Sequence, residues 1–265
     1  MQMTLGTLFG ILVALLAWRV GSLSTSGALA AALMGSLIFG LGGLPWAVLL
    51  LGFFITSSGF SLLFKRRKAS LGEKHAKGSR RDWVQVFANG GLGMLLVLVH
   101  WLLPEQAWPW IAFAGAMAAV NADTWATELG VLSPAAPRLI TTGRPVEMGA
   151  SGGVTMLGSL ASLAGAALIG VLAVLFPGEG AGLPIVPAAA LGGLAGSLFD
   201  SFLGATLQAI YTCPVCQKET ERHPTHTCSA ATELKRGLPW LDNDAVNFAA
   251  SLAGALAALL LYSLF

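Results

Sequence analysis

Long apolar stretches alternate with short polar ones along the whole chain. Runs with few charges recur over Met3–Trp18, Gly27–Leu41, Pro45–Phe64, Trp83–Leu103, Trp108–Leu132, Val154–Phe176, Pro187–Ile210 and Asn243–Phe265. A helix needs about 20 mostly apolar residues to cross a bilayer, and these runs approach or exceed that length, the first two being short. The pattern predicts an all-α fold, a polytopic integral membrane bundle of about eight transmembrane helices. Met3–Trp18 has neither a basic n-region nor a small-x-small cleavage site, so it reads as a helix rather than a signal peptide. No stretch rich in Pro, Ser or Gly separates domains. Residues 1–265 therefore read as one membrane domain, with a basic loop at 65–82 and a Cys/His loop at 211–242.

Composition agrees with this reading. Hydrophobic residues make up 55% and charged residues 11% of the chain, and the mean hydropathy is +0.73. Soluble domains carry about 25% charged residues, and so apolar a chain in water would expose large hydrophobic patches. The 33 glycines suit close helix approach in lipid.

The net charge of +2 says little, but its placement says more. Eight spans put loops 19–26, 65–82, 133–153 and 211–242 on one side, and these hold all 15 Lys and Arg. Loops on the other side hold only Glu105 and Glu179 as charges. By the positive-inside rule the basic face is cytoplasmic and both termini are outside. The expected location is an inner or plasma membrane.

Polar residues inside the spans gather near the basic side. They include Thr56, Ser57, Ser58 and Ser61; Gln85 and Asn89; Asn121, Asp123, Thr124, Thr127 and Glu128; Asp200, Ser201, Thr206 and Gln208; and Asp242, Asn243, Asp244 and Asn247. An acid at the bilayer centre costs about 2.5–3.5 kcal/mol on insertion scales, so Asp123, Glu128 and Asp200 need a reason to be there. They could pair with nearby Lys and Arg and hold helices together. That does not account for the accompanying amides and hydroxyls. Carboxylate, amide and hydroxyl oxygens are the ligand set of Mg²⁺, usually completed by nucleotide phosphates. Asn121, Thr124 and Glu128 can share one helix face, with Asp123 and Thr127 beside it. Asp123-Thr124-Trp125 and Asp200-Ser201-Phe202 form a faint internal echo on helices running the same way.

Gly149-Ala150-Ser151-Gly152-Gly153 precedes the sixth predicted helix. It reads either as a flexible turn or as an anion site of backbone N–H groups at a helix start. The basic loop likewise retains positive charge inside, touches anionic lipid or holds polyphosphate. All three cysteines fall in one loop, as Cys213-x2-Cys216-x9-His226-x-Cys228, with His223 a spare candidate. That spacing suits a structural tetrahedral Zn²⁺, against free thiols or a disulfide. His100 and the tryptophans, Trp46, Trp101, Trp108 and Trp110 among them, read as interfacial.

The run Asn121-Ala122-Asp123-Thr124-Trp125-Ala126-Thr127-Glu128-Leu129-Gly130 resembles the signature of the phytyl-phosphate kinase family of membrane proteins. So do the loop after the third span, Gln85-Val86-Phe87-Ala88-Asn89-Gly90, Thr141-Thr142-Gly143 and the segment Val146 to Gly153. Gly196-Ser197-Leu198-Phe199-Asp200-Ser201, the Cys/His loop and Asp242-Asn243-Asp244-Ala245-Val246-Asn247 complete the set, in the family's order, over roughly residues 56–250. The resemblance implies a kinase that converts an isoprenoid monophosphate to the diphosphate, with CTP as donor.

Chemistry and topology then suggest roles. Asp123, Glu128, Asp200 and Asp244 are the Mg²⁺ candidates, with Asn121, Asn243 and Asn247 orienting phosphates or metal. Lys65, Arg66, Lys68, Thr142, Gly149, Ser151, Gly152 and Gly153 are the phosphate-binding candidates, and Cys213, Cys216, His226 and Cys228 the Zn²⁺ ligands. The expected partners are an isoprenoid phosphate lipid, a nucleoside triphosphate and membrane lipids, with no nucleic acid. No histidine falls in the polar cluster, which suits an acceptor that is already ionised. The rivals are a transporter of an anion or lipid phosphate, whose polar site should lie near the midplane, and a lipid-alcohol kinase or nucleotidyl transferase.

Overall fold

The computed structural model of the chain describes residues 1–64, 80–176 and 179–265. Among them are seven helices: α1 (Gln2–Arg19), α2 (Thr25–Leu63), α3 (Trp83–Leu102), α4 (Trp108–Gly130), α5 (Met156–Val174), α6 (Ile185–Thr206) and α7 (Asn243–Tyr262). Four of them start at side-chain caps. Ser24, Asp82, Thr155 and Asp242 accept hydrogen bonds from the backbone N–H groups of Gly27, Gln85, Gly158 and Ala245. Gln85 reaches back to the N–H of Asp82, which closes a capping box at the start of α3.

The second and third spans of the predicted count are the two arms of α2. The N–H of Ser24 donates to the Arg81 carbonyl at 3.0 Å, and the Arg81 guanidinium donates to Ser58 Oγ at 3.2 Å. A straight helix would put Ser24 and Ser58 about 50 Å apart, so α2 folds back on itself. The reversal is at Gly43, where φ is 75° and ψ is −160°. That conformation is open essentially to glycine alone. Pro45 follows and starts the second arm with its missing N–H at no cost. The sequence boundaries Gly27–Leu41 and Pro45–Phe64 bracket this reversal.

Helix α4 is the hub of the bundle and packs against α2, α3, α5, α6 and α7. Every residue from Pro109 to Ala122 is buried. Small side chains allow this. A Cβ on Gly115 would meet Ala258 and the Gly254 carbonyl, one on Gly193 would meet Ala118, and one on Gly196 would meet Ala119. Each approach is under 3.0 Å, so the backbones of α4, α6 and α7 are in direct contact. Six of the described helices are long and apolar enough to cross a membrane; α4, with its polar second half, is not among them.

One end of the bundle is closed by aromatic rings. Trp46 and Trp110 are 0% and 1% exposed, so they are core residues and not part of an interfacial belt, unlike Trp101 at 60%. The Trp46 ring lies 4.5 Å from Phe113 and 5.0 Å from His100 by centroids. His100 is therefore packed into this cluster, and its Nε2 stands 4.0 Å from Glu179, which also accepts from Trp46 Nε1.

The opposite, polar end carries two small antiparallel sheets that the all-α reading lacks. The first pairs β1 (Arg138–Leu139) with β2 (Gly153–Val154). The second, in the order β4-β3-β5, joins β3 (Ile210–Thr212), β4 (Glu219–Thr220) and β5 (Glu233–Arg236). The Cys/His loop is thus a folded element.

Asn121 ties three helices together. Its Oδ1 accepts from Thr56 Oγ1 at 3.0 Å and lies 3.4 Å from Ser57 Oγ, both on α2. Its Nδ2 donates to the Gly165 carbonyl of α5 at 2.8 Å. Glu128, two turns on, accepts from Ser61 Oγ at 2.6 Å, so the shared face of α4 is turned toward α2.

Three variants test these contacts by equilibrium unfolding in detergent. Gly43→Ala should lower stability by about 1–3 kcal/mol, because alanine is strained at that backbone conformation. Gly59→Ala, in the same helix with open space around the added Cβ, should be neutral or stabilising. Asn121→Ala should cost about 1–3 kcal/mol by stranding buried hydrogen-bonding partners.

Candidate active site

A cleft of about 930 Å³ opens at the polar end. It takes one acid from each of α6 and α7 and two from α4. Asp123, Glu128, Asp200 and Asp244 all line it, with Asn243 and Asn247 from the first two turns of α7. The small-residue contacts between α4, α6 and α7 bring these side chains together.

Asp200 is the most informative of the four. Its Oδ2 is buried and has no hydrogen-bond partner among the described residues. The negative charges of Asp123 and Glu221 act on it. Like charges this close in a poorly hydrated site repel, and a cation relieves them. Thr127, Ser162, Ser197 and Ser201 add hydroxyl oxygens to the same lining, and the Ser162 Oγ is buried without a partner among the described residues. The donor set fits Mg²⁺, which takes a few carboxylates and leaves positions for water and phosphate. Asp244 lies in the first turn of α7, where the helix dipole favours its charge.

The glycine segment forms another wall, but not as a helix start. Gly153 and Val154 pair with Leu139 and Arg138 as β2, and α5 begins only at Met156, capped by Thr155. The loop Met148–Thr155 therefore faces the cleft from the end of a hairpin. Gly152 has φ +82°, and a Cβ there would strike the backbone of Ala205 on α6. Only glycine lets this loop lie flat against the helix that carries Asp200. Ser151 Oγ donates to Glu221 at 2.8 Å, which ties the loop to the Cys/His element.

Two sequence candidates are placed elsewhere. Asn121 is 0% exposed beneath the cleft and does not line it. Thr142 sits exposed in the turn between β1 and Arg144, accepting from the Arg144 N–H, and is also outside the lining. Lys65, Arg66 and Lys68 lie outside the described residues.

Four other residues join the site: Arg81, Glu221, Arg222 and His223. Burial pushes Arg81 down to about 10, with the charge of Glu128 opposing that, so it stays charged at neutral pH. Gln208 Nε2 donates to Glu221 at 3.0 Å, beside the Ser151 bond. His223 stacks on Tyr211 of β3 at 4.5 Å and 13°. It lines the cleft and is not grouped with the cysteines. An imidazole is thus present in the site, and the expectation of a cluster without histidine is corrected.

The Cys/His element builds a second site. The ligand atoms of Cys213, Cys216, His226 and Cys228 all lie within 4.8 Å of one another. Cys213 Sγ is 3.5 Å from Cys228 Sγ, and His226 Nδ1 is 3.3 Å from the same sulfur. Sulfurs around a tetrahedral Zn²⁺ stand roughly 3.8 Å apart, so the set fits that ion. The Cys216 N–H points at Cys213 Sγ from 3.4 Å and pulls that thiol below its ordinary range, toward the thiolate a metal requires.

Comparisons with known proteins agree with the architecture. The chain is 36% identical to Protein PGR of Arabidopsis thaliana over 89% of its own length and 88% of the relative. It is 33% identical to an uncharacterized membrane protein of Methanocaldococcus jannaschii, over 74% of this chain and 79% of that one. A third relative, an uncharacterized membrane protein of a Synechocystis species, is 25% identical over 81% and 76% of the two chains. No solved structure matches. The model of the integral membrane protein family DUF92 matches residues 8–255, which takes in every acid and every cysteine of both sites, and the chain is a member of that family.

Proposed function

We propose that the protein is a Mg²⁺-dependent kinase that transfers the terminal phosphoryl group of a nucleoside triphosphate to an isoprenyl monophosphate, giving the diphosphate. The observation that carries this reading is the buried, partnerless Asp200 oxygen facing two more carboxylates in a cleft at the end of a membrane bundle. A cation held there would neutralise polyphosphate charge. Asp123, Asp200 and Asp244 would hold it, with Glu128 alongside. Arg81 and Arg222 would pair with phosphate oxygens, and the Gly149–Gly153 loop would lie along the nucleotide.

In the reaction, an oxygen of the ionised acceptor phosphate attacks the terminal phosphorus. A new P–O bond forms, the bond to the bridging oxygen breaks, and the nucleoside diphosphate leaves with that electron pair. No proton has to be removed from a dianionic acceptor. Positioning and charge neutralisation then supply most of the catalysis. CTP as donor follows from the resemblance to phytyl-phosphate kinases. The polar end faces the cytoplasm in this reading, supported by the one-sided placement of Lys and Arg.

His223 favours a second reading, in which the acceptor is a prenyl alcohol and the imidazole takes its proton. A transporter is disfavoured by the aromatic closure around Trp46 at the far end.

The purified protein with Mg²⁺ should phosphorylate geranylgeranyl or phytyl monophosphate and not the matching alcohols, with CTP ahead of ATP, GTP and UTP. Sealed inside-out vesicles should use added nucleotide and right-side-out vesicles should not. Asp123→Asn and Asp200→Asn should nearly abolish transfer while detergent stability holds or rises, since each removes a costly charge. Turnover of the alcohol alone would select the second reading. Loss of folding in both variants would mean that the acids serve helix pairing.

The Cys/His element is proposed to hold a structural Zn²⁺. Elemental analysis of protein purified without a His tag or added metal should find about one zinc per chain. Cys213→Ser and Cys216→Ser should each lose it. Absence of zinc together with three readily alkylated thiols would refute the site.

A further inference from the structure

The polar cleft shares part of its wall with a second cavity. An apolar slot runs between α1, both arms of α2 and α3, walled by Phe9, Met34, Leu50, Phe53 and Phe54 among others. Arg81, Gln85 and Asn89 line both the slot and the cleft. The slot therefore meets the cleft at three polar side chains and is otherwise hydrocarbon.

Arg81 stands at this junction and is held there from several directions. Its N–H donates to the Ser22 carbonyl and its own carbonyl accepts from the Ser24 N–H, which pins the backbone to the α1–α2 turn. Its guanidinium donates to Ser58 and lies 5.5 and 5.8 Å from the ring centroids of Phe53 and Phe54. The cation is thus fixed with aromatic hydrocarbon on one side and the acids' cleft on the other.

We propose that this slot seats the hydrocarbon chain of an amphiphilic phosphate next to its headgroup, with Arg81 binding the phosphate at the mouth. The inference rests on the lipid-phosphate kinase reading and adds the place and orientation of the acceptor. A headgroup that must reach Asp123 and Asp200 needs its chain to stay out of water. The slot offers an apolar lining that borders the cleft at a fixed cation.

Its size limits what it reads. The slot holds about 80 Å³. A single water needs about 10–15 Å³ by this measure, so on the order of five to eight carbon-sized groups fit, one or two isoprene units. The rest of a longer chain trails into the bilayer. Lipid is as apolar as the slot wall, so the slot gains little affinity from burial and acts by aligning the phosphate. Chains longer than about ten carbons should then be used alike, and a five-carbon monophosphate poorly.

The test is photo-crosslinking of the full-length protein with a prenyl monophosphate that carries a diazirine in its second isoprene unit. Labelled peptides should map to α1, α2 and the start of α3, and unlabelled prenyl monophosphate should displace the probe. Ala31→Phe and Leu50→Phe, two independent plugs of the slot, should lose the label. They should lower kcat/KM for the prenyl monophosphate by on the order of 10²-fold through misplacement, with binding of a fluorescent nucleotide retained. Saturable labelling confined to α5 and α6, with turnover intact in both plugged variants, would overturn the slot and leave the kinase reading standing. Folded wild-type protein that shows neither saturable labelling nor phosphoryl transfer would overturn the kinase reading, and the slot with it.

Discussion

The structure depends on how closely α4, α6 and α7 approach. Lipid gives helices no hydrophobic reason to associate, so packing must come from contact itself. Here glycine and alanine supply it, with Gly193 and Gly196 of α6 against Ala118 and Ala119 of α4, and Gly192 against Ala258 of α7. The same contacts decide where the acids end up. Asp123 and Asp200 sit one or two turns beyond these small residues, toward the polar end, and Asp244 lies at the same end, about four turns from Ala258. Their convergence is a by-product of backbone contact higher in the bundle. A larger side chain at Gly193 or Gly196 would move the carboxylates apart without touching any of them.

The second arm of α2 then sets the depth and angle of the site. Thr56, Ser57 and Ser61 reach across to Asn121 and Glu128, and Ser58 holds Arg81. These bonds join the α1–α3 part of the bundle to its acid-bearing half. They explain why polar residues crowd this level of α2 although most do not face the cleft. Some serve chemistry by holding the residues that do.

The spans were legible in the sequence because length and apolarity are local properties, and the helix ends fell within a few residues of the predicted ones. The acids were legible for a related reason: a charge inside a span is costly, so its presence already asks for a purpose. The four metal-ligating candidates Cys213, Cys216, His226 and Cys228 are close in sequence, and their spacing carried their geometry. What was hidden depends on partners distant in sequence. Asn121 shares a helix face with Glu128 as its spacing suggests, yet only the fold shows that this face meets Thr56. The glycine loop looked like a helix entry because its strand partner, Arg138–Leu139, is set by pairing and not by local pattern. His223 is between two cysteine ligands in sequence, and its stacking on Tyr211 turns it to the other site.

The aromatic closure around Trp46, Trp110 and Phe113 has a consequence for traffic through the membrane. A headgroup that enters the cleft meets tightly packed rings at the far end and must leave by the way it came. In the proposed reaction such a lipid would be modified without changing leaflet. On that reading, an enzyme that makes the substrate or takes the product would work on the same face of the bilayer, and the two would exchange the lipid by lateral diffusion, with no flippase between them.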